Sequence, residues 1–129
     1  MEKKILILGL VFGMLSILFG AFGAHSLKKV LSEEALVSFE TGVRYQMYHA
    51  LFLLFIANTA FLSVKEKSIL FYLVLVGVLF FSGSIYLLST SVITGIKTKF
   101  LGPITPVGGL FLIASWGYFL YALIVKNTN

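Results

Sequence analysis

Two histidines and a glutamine are the residues in this chain best suited to do chemistry. Gly42, Gln46, His49 and Leu53 are spaced 4-3-4, which puts all four on one helical face. Gln46 and His49 therefore point the same way, while Arg44 and Tyr48 occupy another face. Tyr45 stands one turn before His49 and is expected to stack on it. His25 closes the preceding apolar stretch and can approach His49 across a helix bundle. Two imidazoles in a polar pocket can bind a ligand, relay protons or hold a metal. The competing reading is that they hydrogen-bond loop carbonyls and fix helix ends. A bis-His haem between helices is conceivable in a four-helix bundle, but both rings would lie at one edge, and no cofactor is expected. Zinc would need a third ligand. The only nearby acid, Glu40, is four residues before Arg44, the favourable order for a helical ion pair.

The elements that position these groups follow from the charges. Of 129 residues, 59% are hydrophobic and only 12% charged, and the mean hydropathy is +1.02. A soluble domain carries about twice that charge. This excludes a cytoplasmic enzyme, a nucleic-acid-binding module and a disordered tail, and leaves a single integral membrane domain, residues 1–129. Ile5–Leu27, Tyr45–Val64, Ser68–Ile96 and Phe100–Val125 contain no Lys, Arg, Asp or Glu. Each reaches the ~20 residues a helix needs to cross hydrocarbon. We therefore expect an all-α membrane protein, an antiparallel four-helix transmembrane bundle with spans at about 5–25, 45–64, 68–90 and 105–125. A secretory signal is the alternative for the first span, but its apolar run exceeds the usual ~7–15 residues.

Between the first two spans a short amphipathic interfacial helix is expected over about 33–44. Ser32 would be its N-cap, with Glu33 and Glu34 in the first turn. It runs into the second span or bends into it at Gly42. Lys65-Glu66-Lys67 reads as a tight turn between spans two and three. Thr105 reads as the N-cap of the last span, with Pro106 as its first helical residue. Small residues recur seven apart: Gly9, Ser16 and Gly23; Ala50 and Ala57; Gly77, Ser84 and Ser91; Gly108, Ser115 and Ala122. Lipid gives helices no hydrophobic drive to associate, so close backbone approach over small residues must do it. Asn58, deep in a span, is expected to bond across helices. Trp116 lies too deep for an interfacial belt, and its N–H needs a partner.

The polar residues fall on one side. His25, Glu40, Arg44, Gln46 and His49 flank the first connection, and Tyr86 and Thr105 the third. The candidate ligand pocket is thus His25, Arg44, Gln46, His49, Tyr86 and Thr105, with Glu40–Arg44 as a structural ion pair. The chain has no Cys and no Asp. It carries no nucleophile–base pair, phosphate loop or carboxylate within a span, so no catalytic residue and no metal site is assigned. The cations divide five against five between the two sides, so the positive-inside rule does not choose. Lys65 and Lys67 in the shortest loop favour both termini inside.

Gly20-Ala21-Phe22-Gly23-Ala24-His25, the run Phe39 to Leu51 (FETGVRYQMYHAL), Gly83-Ser84-Ile85-Tyr86 and Gly102-Pro103-Ile104-Thr105-Pro106-Val107-Gly108-Gly109, with Trp116, resemble the domain-of-unknown-function 423 family. This is the family of bacterial YgdD-like inner-membrane proteins and eukaryotic transmembrane protein 256. The resemblance covers nearly the whole chain. It implies a small multi-pass membrane protein without an established biochemical activity. Its recurrent polar positions correspond to His25, Gln46, His49, Tyr86, Thr105 and Pro106.

The expected function is that of a non-enzymatic, multi-pass protein of the cell (inner) membrane. Its one-sided polar pocket would take a lipid, a small ligand or a partner protein. The alternative is a subunit of an oligomeric small-solute transporter or channel. Expected partners are membrane lipids, a second copy or another membrane protein, and no nucleic acid.

Overall fold

Charged residues begin three of the long helices: Glu2, Lys3 and Lys4 in the first, Glu33 and Glu34 in the second, Lys65 to Lys67 in the third. In the computed structural model, which describes residues 1–126, the helices are α1 (Glu2–His25), α2 (Glu33–Ala57), α3 (Val64–Ser89), the single-turn α4 (Ser91–Thr94) and α5 (Ile104–Lys126). A 3₁₀ turn, Leu27–Lys29, joins α1 to α2. The last three residues of the domain expected over 1–129 lie outside the described residues. Among the described residues there is no strand. Three helical stretches, Glu2–Lys29, Val64–Ser89 and Ile104–Lys126, are long and apolar enough to cross a membrane.

The caps set the boundaries. The Ser32 hydroxyl accepts the Ala35 N–H at 3.1 Å, with Glu33 and Glu34 in the first turn of α2. Ser63 accepts the Glu66 N–H at 3.1 Å, and the Glu66 carboxylate takes the Ser63 N–H at 2.9 Å. This capping box starts α3 four residues before the expected span. Lys65-Glu66-Lys67 is therefore not the turn but the first turn of α3, and the turn itself is residues 58–63. Asn58 is not deep in a span either. It caps α2, is exposed, and its amide donates to the Leu54 carbonyl at 2.8 Å instead of crossing to another helix. Thr105 stands inside α5, which begins one residue earlier. Its hydroxyl donates to the Leu101 carbonyl at 3.3 Å and meets the Ser84 hydroxyl.

The amphipathic stretch about 33–44 is not a separate element but the first part of the 25-residue α2. Gly42 neither ends nor bends it into two helices, because its missing side chain is used for contact. A Cβ there would lie 2.8 Å from the Tyr86 ring. The close seating of α3 holds the backbone helical at a residue that alone would loosen it.

The helices pack in sequence order: α1 on α2, α2 on α3, α3 on α5. α5 makes no close backbone approach to α1 or α2. The small-residue positions Gly9, Ser16, Gly23, Ala50, Ala57, Gly77, Ser84, Gly108, Ser115 and Ala122 are all buried, while Ser91 is not. The tightest contact is at Gly108, where a Cβ would stand 2.3 Å from the Phe81 nitrogen. Around these contacts Ile5, Leu53, Ile56, Leu70 and Val74 form a fully enclosed core. Leu10, Met14, Ile17, Leu110, Ile113 and Leu120 point outward and are exposed. Such contiguous apolar surface fits a hydrocarbon solvent, not water.

One end carries two long-range ion pairs. Lys67 is only 4% exposed; its ammonium donates to Glu2 at 2.6 Å and to the Ala57 carbonyl at 3.0 Å. It thereby satisfies a terminal carbonyl of α2 and sits at the negative end of that helix dipole. Lys126 pairs with Glu66 and donates to the Phe61 carbonyl at 2.9 Å. The starts of α1 and α3 and the ends of α2 and α5 thus meet at this end.

Gly108→Ala should lower thermal stability in detergent by about 1–3 kcal/mol, the usual cost of overpacking. Gly117→Ala in the same helix meets nothing within 4 Å and should cost nothing. Melting curves of the two variants check the contrast.

Candidate functional site

The face expected from the 4-3-4 spacing is built: Gly42, Gln46, His49 and Leu53 are all buried in α2. Gln46, 3% exposed, sits between α1 and α3. Its Nε2 donates to the Phe12 carbonyl at 2.9 Å, and its Oε1 accepts the Tyr86 hydroxyl at 2.7 Å. Tyr86 is wedged between Phe19 and Phe39, each with ring centroids at 5.1 Å. Four residues before Gln46, the Ser82 hydroxyl of α3 donates to the Gly42 carbonyl at 2.7 Å. Ser16 donates to the same Phe12 carbonyl at 2.8 Å. These bonds pin α1, α2 and α3 in one register.

His49 turns the other way, toward α5. Its Nδ1 lies 2.7 Å from the Tyr45 carbonyl and its Nε2 lies 3.0 Å from the Trp116 Nε1. A carbonyl can only accept and an indole N–H can only donate. The imidazole is therefore the neutral Nδ1–H tautomer, with its one in-plane lone pair, on Nε2, taken by the indole N–H. Trp116 stacks flat on Phe52, with centroids at 4.1 Å and planes 4° apart, and meets the His49 ring edge-on at 88°. Since the α2 and α5 backbones do not approach, these side chains are the bridge between the two helices.

His49 also lies deeper than the sequence suggests. The uncharged run begins at Tyr45, which puts His49 near a span's end, but α2 begins at Glu33. A Cβ on Gly13, halfway along α1, would touch Ala50 and Met47. Trp116 is likewise central in α5. The His49–Trp116 pair thus stands at the mid-depth of the helices.

Three expected contacts are not made. His25 is exposed at the end of α1, roughly 20 Å along the axis from the level of His49 at ~1.5 Å per residue. Glu40 and Arg44 form no ion pair; Arg44 donates instead to the Thr41 hydroxyl at 3.1 Å. Tyr45 packs its ring against Tyr48 and Phe81 rather than on His49. Thr105 is joined to Ser84, apart from the Gln46–Tyr86 pair. Gln46, His49 and Tyr86 of the candidate pocket therefore belong to the interior network, and His25, Arg44 and Thr105 stand outside it. Trp116 and Ser82 were not among the candidates; the unmet N–H of a deep indole was the one signal for the former. No cluster of three metal-ligating side chains occurs among the described residues.

Beside the network, the separation of α2 from α5 leaves an open groove of about 490 Å³. Tyr45, His49, Phe81, Gly109, Ile113 and Trp116 line it. It is mostly apolar, and its polar marks are the imidazole edge and the Thr41 hydroxyl that holds Arg44.

Trp116→Phe keeps the stack on Phe52 but leaves His49 Nε2 without a donor, and should cost about 1–3 kcal/mol. His49→Phe leaves the indole N–H unpaired and should cost a similar amount. The double variant should lose clearly less than the sum. Unfolding of all three in detergent checks this; additive losses would refute the bond.

The chain matches the family described as "Protein of unknown function (DUF423)" over residues 19–109. It is 42% identical over 117 residues to a UPF0382 membrane protein of Staphylococcus haemolyticus, covering 88% of this chain and 89% of that one. It is 39% identical to the UPF0382 membrane protein YwdK of Bacillus subtilis, covering 88% and 90%. Against the UPF0382 inner membrane protein YgdD of Escherichia coli it is 32% identical over 127 residues, covering 95% and 91%. No solved structure matches the chain. With its apolar helices and these relatives, the protein is a multi-pass membrane protein and belongs to the DUF423 family.

Proposed function

We propose that this is a non-enzymatic protein of the cell membrane that crosses it four times and holds a membrane lipid along the groove between α2 and α5. The groove carries the reading: two helices held apart by aromatic side chains, with an apolar channel between them open toward lipid. Its volume fits a chain-like ligand within the usual range for small-molecule sites. The buried polar side chains among the described residues all have partners, so the interior network acts as scaffold and the groove as binding surface.

α2 is the fourth span in this reading. Lys67 holds Glu2 at one end of the molecule, and α1 leads away from that end. α2 must return over the same depth, and its 25 residues span about 37 Å at ~1.5 Å per residue. Its charges support this: Glu33, Glu34, Glu40 and Arg44 occupy its first half, toward the headgroups. The membrane is the inner one, as the name of YgdD states for that relative. Both termini face the cytoplasm, with the short connection before Lys65.

Two experiments test these points. Single cysteines at Lys29 and Lys65, in a chain that has none of its own, should label from opposite faces of the membrane, with Lys65 reached from inside. Labelling of both from one face would remove α2 as a span. For the groove, a Cβ on Gly109 meets only the Phe81 ring, at 3.6 Å. Gly109→Leu should therefore fold and fill the groove. Trp116 is the only tryptophan, so its quenching by phospholipids brominated along the chain reads the groove directly. Quenching should fall severalfold in Gly109→Leu; unchanged quenching would remove the groove as a lipid site.

A further inference from the structure

On the opposite face of α2 lies a second groove, about 370 Å³, between α1 and α2. Its floor is small and apolar: Gly20 and Ala24 of α1 against Val43 of α2. Its walls carry three charges, Lys28, Glu40 and Arg44. Glu40 and Arg44 are four apart on one helix and still form no ion pair, and the guanidinium holds only the neutral Thr41 hydroxyl. Among the described residues, Lys28 and Glu40 also make no ion pair. Three charges that could neutralise one another are instead spread around a recess.

We infer that this groove binds the headgroup of an aminophospholipid, phosphatidylethanolamine, at the membrane surface on the side of the first connection. Depth and charge order agree with that headgroup. Gly20 and Val43 are level with each other, a Cβ on Gly20 lying 3.5 Å from Val43. Arg44 is next to that level. Glu40 is about one turn, ~5.4 Å, nearer the helix start and so nearer water. Lys28 stands beyond the end of α1 at the outer rim. A phosphate at the depth of Arg44 would meet its guanidinium. The ethanolamine ammonium, further out along the headgroup, would meet the Glu40 carboxylate. The glycerol and the first chain carbons would rest on Gly20 and Ala24. Phosphatidylcholine offers the same phosphate, but its quaternary nitrogen has no N–H to donate to Glu40. Phosphatidylglycerol offers no cation at all.

The test uses the full chain in mild detergent, in the Gly109→Leu background, so that lipid in the α2–α5 groove does not contribute. Phosphatidylethanolamine, phosphatidylcholine and phosphatidylglycerol with identical acyl chains are added in equal amounts, and retained lipid is read by native mass spectrometry. The ethanolamine lipid should be retained about tenfold over the choline lipid, as expected for one charge-assisted hydrogen bond. Glu40→Gln should erase that preference. Glu40→Lys should turn it toward phosphatidylglycerol. Arg44→Gln should lower retention of all three. Glu40, Lys28 and Arg44 are exposed, so these variants keep the fold. Equal retention of ethanolamine and choline lipids by the parent protein, or a preference that survives Glu40→Gln, overturns the assignment. Neither outcome bears on the α2–α5 groove, which is read by Trp116 quenching.

Discussion

The helix packing depends on one constraint: a polar side chain buried among apolar helices must find its partner within the protein. α2 meets much of that obligation. Gln46 reaches α1 through a backbone carbonyl and α3 through the Tyr86 hydroxyl. His49 reaches α5 through Trp116. Apolar side chains would tolerate many rotations of these helices about their axes, since lipid and leucine are nearly equivalent solvents for them. A glutamine with both ends occupied tolerates few. The small residues set how closely α1 meets α2 and α3 meets α5, and the polar bonds set which faces meet.

This division explains how much could be read from the sequence. The number of long helices, the face shared by Gln46 and His49, the cap at Ser32, and the small-residue seam are all properties of local spacing. The observed boundaries differ from the charge map because charged residues lie inside the helices. Glu33 to Arg44 belongs to α2, and Lys65 to Lys67 belongs to α3, since a capping box and a long-range ion pair accommodate those charges in helix. That shift changes the depth of His49, which a charge map puts at an end and α2 puts in the middle. The pairing of partners was not legible. Nothing in the spacing says that Arg44 would prefer Thr41 to Glu40, or that Lys67 would reach a glutamate sixty-five residues earlier in the chain.

The interior network and the grooves beside it share residues but not roles. His49 is held by Tyr45 and Trp116, so the groove beside it is shaped by a fixed wall. On the other face of the same helix, Arg44 and Glu40 are left apart by the geometry that seats Thr41 under the guanidinium. A single helix thus presents a satisfied interior and two recesses that differ in chemistry, one aromatic and one charged.

The ion pairs at the terminal end bear on the order in which the protein can be made. Glu2 with Lys67, and Glu66 with Lys126, join residues 65 and 60 apart. The first helix leaves the ribosome long before its lysine partner exists, and spends that interval with a free carboxylate at its tip. Only arrival of the third helix pins it. The second clasp waits for the last turn of the last helix. Assembly in the membrane is therefore closed at one end, by contacts that form only once α3 and α5 have been made.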